Sequence, residues 1–304
     1  MLIGIDHGNR SVKLARVEPF ICGLDTKESQ PYGSDYLEYK GRYYLLSDNR
    51  IPYHRDKSED DRFFILTLFG IAKEIEKSGK YHTGVIPVQL AIGLPPAFYG
   101  AQKRSFINYF AKRGPITFTY RGKKYNIMIS DVACYPQAYA AAVTIYEELV
   151  NVPQAIVLDI GGYTADYIRV KSGACDLSVC DSLEKGVILF YNKIRSMLNA
   201  EYDMKFDELQ IDAILTGKEK NAAQVVADTI KSYAQEYIND LLSTFREHQI
   251  ELKAGNVIFV GGGALLFREQ IMNSGKVSNT RFIDDIRANA IGYEKMYELS
   301  HKGR

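Results

Sequence analysis

The stretch LIGIDHGNRSVKLARV at residues 2–17 returns in altered form as AIVLDIGGYTADYIRVK at residues 155–171. Each begins with an apolar run, breaks at glycine and resumes with the alternation of a β-strand, so each reads as two strands around a tight turn. In each, an aspartate near the end of the apolar run is followed two positions later by glycine: Asp6 with Gly8, and Asp159 with Gly161. The copies stand about half the chain apart. A third strand is expected after each pair, near 20–24 and at 175–180. The repeat predicts two related halves, 1–150 and 151–283.

Periodicity fills in the rest. LEYKGRYYLL at residues 37–46 reads as a hairpin about Lys40-Gly41, and the charged run from His54 to Arg62 as a solvated loop. Phe64, Leu68, Ile71 and Ile75 share one face of a helix expected over 61–77. A buried strand over 85–94 ends at Pro95-Pro96, and a helix over 97–112 leads to a hairpin turning at Arg121-Gly122. An alanine-rich helix is expected over 135–149, then helices over 182–199 and 222–248. The strand NVIFV at 256–260 enters Gly261-Gly262-Gly263, with a helix from Ala264. A last helix over 284–299 would start at Asp284 or Asp285, where negative charge suits a helix N-terminus.

Composition narrows the classes. The 304 residues suit one large domain or two medium ones, and 46% hydrophobic with 25% charged residues describes an ordered globular chain. Lys and Arg total 38 against 37 for Asp and Glu, so a net charge of +1 supplies no global attraction to nucleic acid or an anionic membrane. No apolar run reaches the roughly 18 residues of a membrane span, and the opening MLIGIDHG does not read as a signal peptide. Cys22, Cys134, Cys175 and Cys180 are too scattered for a disulfide framework or a zinc knuckle, and read as reduced thiols of a cytoplasmic protein. There is no G-x-x-x-x-G-K-[ST], G-x-S-x-G or H-E-x-x-H, which removes the P-loop, serine-hydrolase and zincin signatures. The triple glycine does not complete G-x-G-x-x-G, because position 266 is Leu266.

The chemistry lies in the turns. Glycine lets backbone N–H groups converge into an anion-binding nest. An aspartate beside a nest repels a bare phosphate, yet suits one carrying a divalent cation. Asp6 with Gly8, and Asp159 with Gly161 and Gly162, therefore read as two jaws of a clamp on a magnesium–polyphosphate. Lys13 and the Asn9-Arg10-Ser11 turn could add donors. Thr164 is placed to help close the second turn.

With Ile3 to Gly8 through Lys13, Val157 to Asp166, and Val257 to Gly263 in family order, the sequence resembles the actin superfamily of actins, hexokinase-type sugar kinases and Hsp70 chaperones. Connecting helices would begin near Tyr135-Pro136-Gln137 and include Ala288 to Gly292. The resemblance implies an α/β fold of two lobes, 1–150 and 151–283, each with a mixed five-stranded sheet and helices, and a nucleotide in the cleft between them. It also implies a small subdomain inserted in the first lobe at about 25–95 and a C-terminal helix, about 284–304, packing back on that lobe. IGLPP and Ile211 to Gly217 look like the ParM/StbA-like bacterial actins. That branch implies an ATPase that polymerises with ATP and Mg²⁺ (GTP remaining open) and hydrolyses nucleotide in the filament. It would move plasmid copies through an adaptor protein on centromere-like DNA, without binding nucleic acid or membrane itself. The likeness gives Asp6 a role in holding Mg²⁺ through water, Asp159 the metal or the attacking water, and Gln137 the orientation of that water. Gly8, Asn9, Arg10, Ser11, Lys13, Gly161, Gly162, Tyr163, Thr164, Gly261, Gly262 and Gly263 would line the nucleotide, and Glu184 and Lys185 would contact ribose or base. A small-molecule kinase and a non-polymerising scaffold on the same fold remain the alternatives.

Overall fold

The computed structural model describes residues 1–33, 35–79 and 84–301. Positions 34, 80–83 and 302–304, which fall in the inserted subdomain and C-terminal segment expected above, lie outside them. The chain divides into two compact units, Met1–Ile145 with the residues from Ile286 onward, and Tyr146–Asp285. No helix among the described residues is long and apolar enough to cross a membrane.

The first unit opens with β1 (Leu2–His7), β2 (Ser11–Leu14), β3 (Phe20–Ile21), β4 (Gly23–Lys27), β5 (Leu37–Tyr39) and β6 (Arg42–Arg50). Helix α1 (Arg62–Ser78) follows, then β7 (Ile86–Leu94), α2 (Pro96–Ala111), β8 (Pro115–Tyr120), β9 (Lys123–Pro136) and α3 (Tyr139–Val143). The second unit contains α4 (Tyr146–Leu149), β10 (Ala155–Ile160), β11 (Ala165–Lys171), β12 (Ala174–Leu183) and α5 (Val187–Tyr202). It continues with α6 (Glu208–Leu215), α7 (Gln224–Glu247), β13 (Asn256–Val260), α8 (Gly261–Leu266), α9 (Arg268–Asn273) and β14 (Asn279–Phe282). Helix α10 (Ala288–His301) belongs to the first unit.

The repeat seen in the sequence is a repeat of topology. One sheet runs β3-β2-β1-β7-β9 and continues; the other runs β12-β11-β10-β13-β14. In both, the first strand pairs antiparallel with the second and parallel with the strand on its other side. Parallel strands buried on both faces read as unbroken apolar runs, and Leu90 to Leu94 on β7 and Val257 to Val260 on β13 do so. The first sheet departs from the five strands expected: it has nine, because β8, β5, β6 and β4 add to the β9 edge by antiparallel pairing. Adding strands to an open edge satisfies its N–H and C=O groups, and nothing local in the sequence announces that partnership.

Several elements differ from the periodicity reading. The residues expected as one strand near 20–24 divide between β3, on β2, and β4, on β6. The helix expected over 135–149 is strand at its start, since Tyr135 and Pro136 pair with Gly93 and Leu94, and it resumes as two short pieces, α3 and α4. Ser182 and Leu183 pair with Asp166 and Ala165, so α5 starts later than expected, at Val187. Helix α8 starts at Gly261 rather than Ala264. The last helix starts at Ala288; Asp284 forms an ion pair with Arg268 instead of capping it. Helix α6 and strand β14 were not evident from periodicity, although Asp207 and Gln210 form a full capping box at the start of α6.

Helix α10 is held on the first sheet by close approach and by charge. A Cβ at Gly292 would lie 1.8 Å from the Ala140 carbonyl oxygen, so only glycine allows α10 and α3 this close. The Arg16 guanidinium bonds Glu74 at 2.9 Å and Glu294 at 2.7 and 2.8 Å, and Glu294 also accepts the Gly4 N–H at 2.7 Å. Burial pushes the Glu294 carboxyl above its ordinary value, against the pull of Arg16 and Gly4. This network ties β1, the bend after β2, α1 and α10 together. Arg16→Met leaves the buried Glu74 without its cation and should cost about 3 kcal/mol in urea denaturation, with Glu74→Gln added to that variant recovering part of the loss.

Candidate functional site

Each unit carries one aspartate–glycine turn, built differently. In the first, Asp6 pairs across the strands with Lys13, and the lysine Nζ lies 3.2 Å from Asp6 Oδ2. The other oxygen, Oδ1, accepts from Gln137 Nε2 at 2.8 Å. The contact joins positions 131 residues apart, and both side chains are buried. An ionised carboxylate only accepts, so it fixes the amide: the NH₂ faces Asp6 and the side-chain oxygen is left for another donor.

Gln137 is held from behind. Its N–H donates to the Leu94 carbonyl at 2.8 Å, and its carbonyl accepts from Tyr139 N–H at 2.7 Å. Ala138 between them has φ +63° and ψ −56°, the strained classic γ-turn. The Ala138 N–H is taken by Asn289 Oδ1 at 3.1 Å, from the first turn of α10. Neither Ala138 nor Asn289 stood out in the sequence, because a positive φ at alanine has no local signature.

Beside this turn the His7 side chain is fully buried among Phe63, Phe106 and Phe110. Thr67 Oγ1 donates to the Phe63 carbonyl, so it accepts from His7 Nε2–H at 2.7 Å. Burial, then the charge of Lys57, lowers the imidazole pKa to about 3, leaving it neutral. Lys57 lies in the run read from sequence as solvated, and that reading is corrected here: Lys57 is 7% exposed and donates to the His7 carbonyl. Gly8, Asn9 and Arg10 form the turn proper, and the Arg10 carbonyl accepts from Cys22 N–H at 3.2 Å. Ser11 opens β2.

In the second unit, Asp159 pairs across the strands with Asp166, where the first unit has lysine. Both carboxylates are buried, and Thr164 Oγ1 donates to Asp166 Oδ2 at 3.2 Å. The turn closes through Gly161 N–H to the Thr164 carbonyl at 2.8 Å. Helix α5 begins against it: the N–H groups of Val187, Ile188 and Gly186 donate to the carbonyls of Gly161, Gly162 and Tyr163 at 3.1, 2.8 and 2.8 Å. The unsatisfied donors of a helix N-terminus are thus satisfied by the turn. In a trans peptide C=O and N–H point opposite ways, so the N–H groups of Gly162, Tyr163 and Thr164 face away from α5, as a nest requires.

Gly261 completes this half. It has φ +88°, and a Cβ there would lie 2.2 Å from Asp159 Oδ1. Gly263 packs on Ile160 and Val187, whereas Gly262 has open space. Glu184 is exposed, in the turn before α5 rather than in the helix. Lys185 bonds Asp240 at 2.7 Å and Thr244 at 2.8 Å on α7. No group of three or more His, Cys, Asp or Glu among the described residues could hold a metal alone. Any cation here would share its shell with water and ligand oxygens, as Mg²⁺ commonly does.

A five-strand module used twice, with an acid–glycine turn after the first strand of each copy, is the architecture of the actin-type fold. Residues 4–139 match the family model for actin-like proteins, N-terminal domain, and 157–273 match that for archaeal actin homologue MreB-like, C-terminal. The chain belongs to the actin-like proteins. Among solved structures it is similar to Ta0583, an archaeal actin homologue, at 17% identity and TM-score 0.77 over 98% of this chain and 99% of that one. It is also similar to the pSK41 ParM protein, at 17% identity and TM-score 0.69 over 99% and 98%. Bacillus thuringiensis ParM with AMPPNP gives 15% identity and TM-score 0.67 over the same shares. No curated protein sequence matches the chain.

Gly261→Ala forces a positive-φ side chain against Asp159 and should destabilise the chain by about 1–3 kcal/mol. Gly262→Ala, with open space around it, should leave the urea midpoint unchanged or higher.

Proposed function

We propose that the chain is an ATPase that binds magnesium–ATP with both aspartate–glycine turns and assembles into filaments in its nucleotide-bound form. The carrying observation is the Asp6–Gln137 bond, since it leaves the amide oxygen of Gln137 oriented to accept from a water O–H. The residues fit a magnesium–phosphate ligand: Asp159 and Asp166 are buried carboxylates at directly paired positions, a donor set that favours a cation beside it. When bound, the metal would neutralise charge on the transferring phosphoryl group. Asp6 and Asp159 would hold it, through water where the ligand oxygens do not reach. Main-chain N–H groups of Gly8 in the first turn, and of Gly162, Tyr163 and Thr164 in the second, would bind phosphate oxygens, with Lys13 as a further donor.

Gln137 holds and orients the nucleophilic water. An amide cannot take the proton, so the rate enhancement is positional and the basal turnover slow. Gly261 and Gly263 bring the end of β13 close to the second turn, where a flat base could approach, and Glu184 would reach the ribose or base. Lys185, tied to Asp240, orders the entry to α5.

Similar structures support the reading of ligand and assembly. They include a complex of the archaeal homologue with ADP and an AlfA filament bound to AMPPNP. The sequence resemblance extends this to plasmid segregation through an adaptor protein on centromere-like DNA, in the cytoplasm. The near-zero net charge agrees with DNA being contacted by the adaptor rather than by this chain.

Light scattering and pelleting with ATP and Mg²⁺ test the proposal. Scattering should rise only with nucleotide; a monomer at every nucleotide and salt concentration would overturn the assembly claim. Asp159→Ala should abolish hydrolysis while keeping a cooperative unfolding transition, and hydrolysis at the wild-type rate would remove the assigned role of Asp159. Gln137→Ala should slow phosphate release by about 100-fold while filaments still pellet with ATP.

A further inference from the structure

The duplicated module exposes an asymmetry. In the second unit the carbonyls of the glycine turn are held by the N-terminus of α5, the helix that follows the three-strand meander. The helix in the same place in the first unit is α1, after the longer excursion through β4, β5 and β6. Its first donors are taken up locally: Arg62 N–H by Asp60, and Phe64 N–H by the Tyr109 hydroxyl at 2.8 Å. The carbonyl that leads into the first turn, that of His7, is held by a side chain instead. Lys57, five positions ahead of α1, donates to it.

Lys57 is presented by an ordered loop. Asp56 Oδ1 accepts from Ser58 N–H at 2.9 Å, closing a turn around Lys57. The Tyr109 hydroxyl donates to the Asp60 carbonyl at 2.7 Å, and Arg113 pairs with Asp61 at 2.7 Å. The lysine Nζ lies 5.6 Å from the centre of the Phe63 ring, a cation–π distance. Removing an ammonium from water is costly, and Lys57 is nonetheless buried with its Nζ donating to the His7 carbonyl.

We propose that Lys57 is a positioning residue of the first phosphate turn, doing with one ammonium what the N-terminus of α5 does for the second. Holding the His7 carbonyl turns the Gly8 N–H, on the same planar peptide, to the opposite side, toward an incoming phosphate. The fixed positive charge behind that peptide favours an anion on its far side. The ligand class is a nucleoside di- or triphosphate, and the inference rests on the nucleotide reading above.

Calorimetry with ATP, ADP and adenosine, each with Mg²⁺, tests it. Lys57→Met keeps the stem over Phe63 and removes the ammonium. It should weaken ATP and ADP by about tenfold or more and leave adenosine within about twofold of wild type. Lys57→Gln, which keeps a donor for the His7 carbonyl but no charge, should fall between, and it supplies the test if the methionine variant does not fold. Affinity for ATP within about twofold of wild type in a folded variant overturns the inference, and so does an equal loss for adenosine and ATP. A wild-type chain that binds none of the three ligands overturns the nucleotide reading itself, whereas wild-type binding with an unaltered variant overturns only the role of Lys57.

Discussion

Main-chain N–H groups are held toward an anion when the carbonyls of the same peptides are fixed on the opposite side. A free turn presents both and discriminates poorly. In this chain three carbonyls of the second turn are engaged by N–H groups at the start of α5, and the His7 carbonyl that leads into the first turn is engaged by Lys57. The sheets serve this arrangement, because the parallel neighbours β7 and β13 fix where β1 and β10 end and hence where each turn begins. Two positive-φ residues also lie beside the candidate site. Ala138 with φ +63° aims Gln137, and Gly261 with φ +88° sits against Asp159. Such conformations persist where the surrounding bonds over-determine them, here Asn289 on the Ala138 N–H.

The two halves repeat one topology with different chemistry at the turn. Position for position, Asp6 opposes Lys13 while Asp159 opposes Asp166. One turn therefore has its carboxylate already compensated by a cation and an amide. The other sets two buried carboxylates at directly paired positions, where the proposed function would place the cation. Two identical turns would either both repel the phosphates or both leave the metal without carboxylates. A pair tuned in opposite directions suits a ligand that is itself an anion carrying a cation.

What could be read from the sequence follows from range. The Asp–x–Gly turns and their strands were legible because turn chemistry and strand alternation are local, and the repeat of one stretch exposed the repeat of topology. Gln137 could be marked from the resemblance, while its bond to Asp6 joins residues far apart in the chain. The strand addition that gives the first sheet nine strands was not legible, because pairing of β5 with β8 depends on partners some eighty residues away. Lys57 was misread for a related reason: among His54 to Arg62 it looks like every other charge. Only the end of β1, folded beneath that loop, makes it different. The helix start misplaced at 182 shows the reverse case, in which cross-strand pairing with Ala165 and Asp166 overrides local preference.

The central proposal is that the two turns act on one nucleotide, and hydrogen–deuterium exchange of the intact chain with and without magnesium–ATP addresses it most directly. The account predicts that slowed exchange appears over residues 6–13 and 159–166 together, with the same dependence on nucleotide concentration. Protection confined to one of these stretches, or absent from both while nucleotide is bound, would contradict it.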